Sequence, residues 1–231
     1  MTFLTAKWQN LILVNYKVNP DILKPFIPNG TELDLFNNTC YISLVGFMFK
    51  DTKVLGIKLL NHINFEEVNL RFYVTCNGKR GVVFIKEIVP KPLITLIANS
   101  LYKENYQTCK MSHLWNENNQ YKAVRYNWRI NNQWQSITVN CDCKAQEILS
   151  NTEAEFITEH YYGYTKYKHK TFEYEVKHPI WKQYSVLEYS IEVDFAQTYG
   201  KAFEFLNKTK PISVLLAKGS DISVHKKKTL L

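Results

Sequence analysis

Residues 65–88 decide the fold, and they read FEEVNLRFYVTCNGKRGVVFIKEI. Apolar side chains occupy every second position from Val68 to Val74, and mostly polar side chains lie between them. A period of two is the spacing of side chains on one face of a β-strand. Asn77-Gly78 is the dipeptide that two-residue hairpin turns prefer, and β-forming residues resume over 81–88. The stretch therefore predicts an antiparallel hairpin.

The rest of the chain carries more strand signals than helix signals. Residues 39–50 are apolar on both faces, which is typical of a strand covered on both sides. We predict one longer helix over residues 91–103, with Pro92 in its first turn, and a short helix that begins at Asn19-Pro20-Asp21. Further strands are predicted at residues 121–130, 134–143, 159–164, 171–178, 184–195 and 213–223.

These elements indicate one domain over residues 1–231, because no linker, repeat or break in composition divides the chain. About nine strands and one substantial helix give a mainly β protein with minor α, an antiparallel barrel or sandwich. The absence of alternating strands and helices argues against a doubly wound α/β fold.

The formal net charge of +8 raises the possibility of a nucleic-acid or protein interaction module. Only four of the 29 basic residues are arginines, and the lysines are scattered apart from residues 226–228. Bidentate recognition of bases favours arginine over lysine. A solvated lysine-rich surface is therefore the preferred interpretation, and nucleic-acid binding is the less favoured alternative.

Five cysteines, an odd and dispersed number, indicate reduced thiols in a cytoplasmic protein. Cys141 and Cys143 are the one close pair, but no second pair follows at the spacing of a zinc site, so we predict no metal and no cofactor. No apolar run approaches the roughly 18 residues that a membrane-spanning helix needs. No membrane association is expected.

The polar face of the first hairpin strand is the strongest candidate for a site. It presents Glu67, Asn69, Arg71 and Tyr73 at intervals of about 6.5–7 Å. A carboxylate, an amide, a guanidinium and a phenol in this pattern could converge on one ligand. A half-exposed strand would show the same alternation, and periodicity alone favours that interpretation. Asn69 and Tyr73 favour a site, because a solvent face in this chain would more often carry lysine.

His178 is the second candidate. It follows the strand pattern of residues 171–178 on the less charged face, and Pro179 and Trp181 come directly after it. A histidine in this setting serves as a hydrogen-bonded structural residue, which we favour, or in ligand binding or proton transfer. The tyrosines around His160 are interpreted as packing rather than as a base-stacking platform. Phosphate loops, nucleophile elbows and zinc-protease helices are all missing from the sequence.

Segments along nearly the whole chain resemble the YqjF-like proteins of unknown function, within the acetoacetate decarboxylase-like superfamily. The most specific is EVNLRFYV at residues 67–74. The supporting segments are Trp8 with residues 11–16, and residues 23–30, 41–47, 81–84, 159–161, 178–181, 211–216 and 219–220. The resemblance implies a cone-shaped, double-layered β-barrel with a central cavity. It also implies that Glu67 matches a cavity glutamate, which turns the polar face inward.

Decarboxylases of that superfamily form a Schiff base on a barrel lysine, in a stretch that corresponds here to residues 102–110. Tyr106 and Gln107 stand where the resemblance would require two lysines, and Lys110 lies beyond them. We therefore expect no acetoacetate decarboxylation.

The resemblance leaves three functional hypotheses. The first is a barrel that binds a small anionic or carbonyl-bearing molecule, with Arg71 as its anchor, Glu67 and His178 handling protons, and Asn69, Tyr73 and Tyr106 orienting it. The second is a lyase or hydrolase that uses Glu67 or His178 as a general base. The third is the basic interaction module.

Overall fold

The computed structural model describes residues 1–230 and is dominated by β-structure. The strands are β1 (Thr2–Lys17), β2 (Glu32–Leu33), β3 (Leu35–Phe36), β4 (Thr39–Val54), β5 (Phe65–Cys76), β6 (Lys79–Val89), β7 (Tyr106–Thr108), β8 (Met111–Glu117), β9 (Tyr121–Ile130), β10 (Gln133–Glu147), β11 (Tyr162–Tyr167), β12 (Lys170–Lys177), β13 (Lys182–Glu192), β14 (Ser213–Ala217), β15 (Asp221–His225) and β16 (Lys228–Thr229). The predicted mainly β class is confirmed.

The helices are short. They are α1 (Pro20–Leu23), α2 (Pro92–Ile97), α3 (Glu153–Thr158) and α4 (Phe195–Tyr199), with 3₁₀ turns at Lys24–Phe26 and Lys201–Lys208 and a π-helical turn at Ala98–Tyr102. The helix predicted over residues 91–103 is present, but its second half widens into the π turn and ends at Lys103 in the left-handed conformation. The predicted start of α1 is confirmed, because the Asn19 side chain accepts a hydrogen bond from the Asp21 backbone N–H at 3.0 Å.

Seven strands close into a barrel in the order β4-β5-β6-β11-β12-β15-β1, and β1 pairs again with β4. Neighbours in this ring are antiparallel except β6 and β11, which pair in parallel over two residues. The hairpin between β5 and β6 is confirmed: Asn77 and Gly78 both have positive φ, as its turn type requires.

A second layer extends from the barrel through β1 and contains β14, β13, β10, β9 and β8. Trp128 of β9 and Ile137 of β10 share one apolar core with Leu44 and Leu70 of the barrel strands. A separate apolar cluster, to which Val45 belongs, lies on the opposite face of these strands. β4 is thus covered on both faces, as its composition predicts, and the expected double-layered antiparallel barrel is confirmed.

Three predicted strand boundaries are wrong. The strand expected at residues 213–223 is divided into β14 and β15, because Gly219 turns the chain with a φ of +78° close to the backbone of Trp8. The strand expected at residues 184–195 ends at Glu192, since Asp194 caps α4. The strand expected to begin at Glu159 begins at Tyr162, because Glu159 caps the C-terminus of α3 and the next two residues connect the helix to the strand.

An extra residue in β6 changes which of its side chains face the barrel interior. Leu70 of β5 pairs with Lys86, whereas the next residue, Arg71, pairs with Phe84. Ile85 is therefore the additional residue of a β-bulge, and its carbonyl accepts a hydrogen bond from Asn105 Nδ2 at 2.8 Å. Phe84 and Glu87, which differ in parity along the strand, consequently line the same cavity.

Candidate functional site

A cavity of about 120 Å³ lies against the polar face of β5. Apolar and aromatic side chains form most of its wall, and α2 with the following π turn covers part of it. Its polar lining residues include Glu67, Asn69, Arg71, Glu87, Glu104, Tyr106, Thr158, His160, Tyr174 and His178. Most small-molecule sites have this composition, an apolar wall with a few convergent polar groups.

Glu67 lies in the middle of a hydrogen-bonded row of side chains. Its carboxyl group accepts a hydrogen bond from Asn69 Nδ2 at 2.9 Å and one from the Tyr106 hydroxyl at 3.1 Å, and the residue is 2% exposed. Burial raises the pKa of Glu67 to about 7, although both hydrogen bonds and the charge of Arg71 oppose the rise. Glu67 is therefore a carboxyl group that gains and loses its proton near neutral pH.

Two further glutamates share the cavity with Glu67. Burial, followed by the charges of Glu104 and Glu67, raises the pKa of Glu87 well above its ordinary value. Burial also raises the pKa of Glu104 to about 7, while hydrogen bonds from Thr165 and Tyr174 oppose the rise. In an apolar setting, each ionised carboxylate makes it harder for the others to lose their protons. The protonation of each of the three glutamates therefore depends on the other two.

Arg71 supplies the one guanidinium among the lining residues. It is 8% exposed, and its recorded hydrogen bond is a long one, from Nη2 to the carbonyl oxygen of Ile157 at 3.4 Å. Its buried Nε has no hydrogen-bond partner among residues 1–230. A buried cation with so few partners is poorly compensated for lost hydration, which makes this end of the cavity receptive to an anion.

His160 is held by a carboxylate from a distant part of the chain. Its Nε2 lies 3.1 Å from Oδ2 of Asp34, which also accepts a hydrogen bond from Arg80 at 2.7 Å. Burial lowers the pKa of His160 to about 4, so the ring is neutral at pH 7. Burial alone would raise the pKa of Asp34, but the bonds from His160 and Arg80 outweigh it and lower the pKa. Nε2 therefore carries the proton, and Nδ1 is an acceptor without a partner among the described residues.

We expect the His160 ring to remain neutral and Nε2-protonated from pH 7 down to about pH 5, because burial keeps its pKa near 4. Two-dimensional ¹⁵N–¹H NMR of histidine-labelled protein measures both the tautomer and the titration midpoint, and His160→Gln assigns the signal. A midpoint at or above 6.5, or a proton on Nδ1, would contradict this expectation.

His178 also lines the cavity, and its surroundings match the packed setting that the sequence indicates. Its ring stacks on Trp181 at 4.2 Å and on Tyr161 at 4.7 Å between centroids, and its Nδ1 lies 2.9 Å from the carbonyl oxygen of Pro179. Burial lowers the pKa of His178 to about 4. At pH 7 it is a neutral ring with Nε2 as its remaining acceptor.

Five of the six candidate residues thus line one cavity: Glu67, Asn69, Arg71, Tyr106 and His178. Tyr73 does not. Its hydroxyl lies 2.7 Å from Ser43 Oγ, and its ring packs against Phe156 and His160, so it supports the wall rather than lining the cavity. The polar face of β5 is buried and is not the half-exposed face that periodicity alone favours.

Glu87, Glu104, Tyr174 and His160 are site residues that the sequence does not single out. The bulge in β6 hides Glu87, because strict alternation places it opposite Phe84. Glu104 follows the left-handed Lys103, which no strand or helix period describes. Nothing in the sequence pairs His160 with Asp34, which lies far away along the chain.

Gly163 makes room for one of these groups. A Cβ atom at this position would overlap the phenol ring of Tyr174, whose hydroxyl donates to Glu104 Oε1 at 3.0 Å. Gly163 lies on β11 directly opposite Tyr174 of β12 and itself lines the cavity. The missing side chain therefore fixes where this tyrosine sits.

Two negative findings apply to residues 1–230. They contain no group of three or more His, Cys, Asp or Glu side chains arranged to hold a metal ion. None of their helices has the length and apolar character needed to cross a membrane.

The fold and the cavity define a closed β-barrel protein with a buried polar site, and comparison with known proteins narrows this class. The chain belongs to the DUF2071 family, described as "Uncharacterized conserved protein (COG2071)", whose model matches residues 5–221. It is 29% identical over 100 residues to the uncharacterized protein YqjF of Bacillus subtilis (strain 168). That match covers 43% of this chain and 41% of YqjF, so it spans less than half of the relative.

Solved structures show the same fold at low sequence identity. The enduracididine biosynthesis enzyme MppR, complexed with pyruvate, has a TM-score of 0.71 and 11% identity, covering 100% of this chain and 91% of MppR. Acetoacetate decarboxylase from Legionella pneumophila subsp. pneumophila str. Philadelphia 1 has a TM-score of 0.69 and 11% identity, and the match covers 99% of this chain and 87% of the decarboxylase. An acetoacetate decarboxylase-like enzyme from Sphingomonas wittichii RW1 has a TM-score of 0.68 and 10% identity, and the match covers 100% of this chain and 94% of that enzyme. The expected YqjF-like relation and acetoacetate decarboxylase-like barrel are confirmed.

Proposed function

We propose that the barrel binds a small carboxylate, with or without an adjacent carbonyl group, in the cavity beside β5. The observation that carries this proposal is Arg71, a buried guanidinium on the cavity wall with one long hydrogen bond and an unpartnered Nε. A carboxylate would give it the bidentate, charge-assisted partner that guanidinium groups favour.

The rest of the cavity is compatible with an anion at this end. The glutamates would repel a carboxylate if they were all ionised, but burial raises the pKa of each of them, to about 7 for Glu67 and Glu104, which reduces their negative charge at neutral pH. His160 and His178 are neutral and add no opposing charge. A protonated Glu67 could in addition donate a hydrogen bond to a carbonyl oxygen.

The volume limits the size of the ligand. An engineered cavity of about 150 Å³ accommodates benzene, and the present cavity measures about 120 Å³. A molecule of roughly five to eight non-hydrogen atoms is therefore of suitable size. Pyruvate, which occupies the structurally similar MppR, belongs to this size class and to the proposed chemical class.

Isothermal titration calorimetry tests the proposal with acetate, propanoate, pyruvate and acetoacetate against their uncharged amides. We expect at least one carboxylate to bind more than tenfold more tightly than its amide, because only the carboxylate compensates the buried guanidinium charge. Equal affinities for the two series would refute an anion site at Arg71.

A second candidate function is catalysis of a lyase or hydrolase type at the same place. Glu67 favours it, because a carboxyl group with a pKa of about 7 is suited to both accept and donate a proton at neutral pH. Depletion of a bound 2-oxo acid, followed by NMR and abolished in Glu67→Gln, would distinguish an enzyme from a binding protein.

We expect no decarboxylation of acetoacetate through a Schiff base. The cavity lining within residues 1–230 includes no lysine. Tyr106 occupies the matching part of the wall, Lys110 is exposed, and Lys103 Nζ lies over the Tyr167 ring. Incubation with acetoacetate and borohydride should leave the protein mass unchanged and release no carbon dioxide. A mass gain on any lysine, with carbon dioxide release lost in Lys110→Ala, would contradict the expectation.

A further inference from the structure

The charged groups that line the cavity are out of balance. Three carboxyl groups, those of Glu67, Glu87 and Glu104, face one guanidinium. Glu67 and Glu87 are each 2% exposed. If the protein needed only a pocket for an anion, these three buried acids would weaken binding whenever one of them ionised. Their number therefore calls for a reason other than anion binding.

Unpartnered acceptors beside the carboxyl groups give that reason. Asn69 donates its Nδ2 to Glu67, is 1% exposed and lines the cavity, yet its Oδ1 has no hydrogen-bond partner in the described part of the chain. The same holds for Oε2 of Glu87. A buried amide oxygen accepts hydrogen bonds and cannot donate them, so a donor on the ligand would satisfy Asn69.

The two tyrosine hydroxyls beside the carboxyl groups are already engaged as donors. The Tyr106 hydroxyl donates to Glu67, and the Tyr174 hydroxyl donates to Glu104. The carboxyl end of the cavity thus offers acceptors and acidic groups that a nearby cation would ionise, whereas the Arg71 end offers donors and positive charge. A nitrogen cation matches this end, because its N–H groups donate to the free acceptors and its charge stabilises the ionised carboxyl groups.

We propose that the ligand carries a positively charged nitrogen as well as its carboxylate, and that this nitrogen lies among Glu67, Glu87, Glu104 and the Asn69 amide oxygen. This inference rests on the proposed function, because Arg71 holds the carboxylate of the same molecule. The ligand class is that of a small amino acid or another short zwitterion. The volume of about 120 Å³ restricts it to a short chain between the two charges.

Matched pairs of ligands test the inference by calorimetry. Acetate, propanoate and butanoate are compared with glycine, β-alanine and 4-aminobutanoate, which differ from them by one terminal ammonium group. We expect at least one amino acid to bind the wild type more than tenfold more tightly than its matched carboxylate. Binding should also release protons, measured in two buffers of different ionisation enthalpy, because the cation draws the neutral carboxyl groups into their ionised form.

Glu87→Gln is the decisive variant, because it removes one carboxyl group from the cavity at a side chain whose Oε2 has no hydrogen-bond partner among residues 1–230. It should reduce the preference for the amino acid to threefold or less, while Glu204→Gln, an exposed control, leaves it unchanged. If Glu87→Gln fails to fold, Glu104→Gln tests the same loss of preference for the amino acid. Carboxylates that bind as tightly as their amino analogues, or a preference that survives both variants, overturn this inference and leave the proposed function intact. If no member of either series binds at 50 mM, both are overturned.

Discussion

Arg71→Leu is expected to weaken the binding of small carboxylates by about 100-fold, near the upper end of what charge-assisted hydrogen bonds contribute. The loss is large because the guanidinium is buried, with 8% of Arg71 exposed. Leucine keeps most of the apolar stem but removes the positive charge and every donor. Calorimetry with the tightest-binding carboxylate measures the change.

The same substitution should leave the protein folded. The buried guanidinium donates one long hydrogen bond, to the carbonyl oxygen of Ile157, and otherwise lies 5.7 Å from the centroid of the Tyr73 ring, so little favourable interaction is lost. Replacing a poorly paired buried charge with an apolar side chain is often neutral or stabilising. Urea unfolding measures this, and Arg129→Leu, at an exposed arginine, is the matched control. Equal carboxylate affinity in both variants would remove Arg71 from the site.

Glu67→Gln is expected to make the protein more stable than the wild type at pH 8, and the advantage should fade toward pH 4.5. The pKa of Glu67 is raised from 4.5 to about 7 by burial. Below pH 4.5 the folded and unfolded chains both hold the proton. Between pH 4.5 and 7 only the unfolded chain releases it, so the wild type loses stability as the pH rises, by about 3 kcal/mol in total. Glutamine has no proton to release.

The change in stability arises from all three glutamates, because the ionisation of Glu87 and Glu104 depends on that of Glu67. Arg71, Tyr106 and Tyr174 line the same cavity. Urea unfolding at pH 4.5, 6, 7 and 8 gives the difference in the free energy of unfolding between variant and wild type. The contributions of His160 and His178 are the same in both proteins and cancel in this difference. Glu204→Gln should show no such trend. A difference that is constant with pH would mean that folding does not raise the pKa of Glu67.

The alternation of β5 made its two faces predictable from the sequence. Val68, Leu70, Phe72 and Val74 all enter the core shared with the second layer, while Glu67, Asn69 and Arg71 face the cavity. Whether the polar face is solvated could not be predicted from this strand, because its burial depends on the other strands of the ring. The family resemblance, and not the periodicity, correctly turned the polar face inward.

The remaining parts of the site depend on contacts between distant residues. Asp34 and His160 are 126 positions apart and meet only after β11 has joined β6. Glu87 reaches the cavity because Ile85 is an extra residue, and a bulge has no fixed sequence signal. Closure of the barrel rests on the pairing of β1 with β4 over strands of 16 residues each, whose mixed polar and apolar positions conceal their length.

The residue at position 163 limits which side chain can occupy position 174. Any homologous chain with a side chain at this position must displace or shorten the residue at the position of Tyr174, because the two occupy the same space. Such a chain would lose the hydroxyl that holds Glu104, and the acidic end of its cavity would acquire a different shape. Divergence of ligand preference among related barrels could therefore begin at a glycine that carries no chemical group of its own.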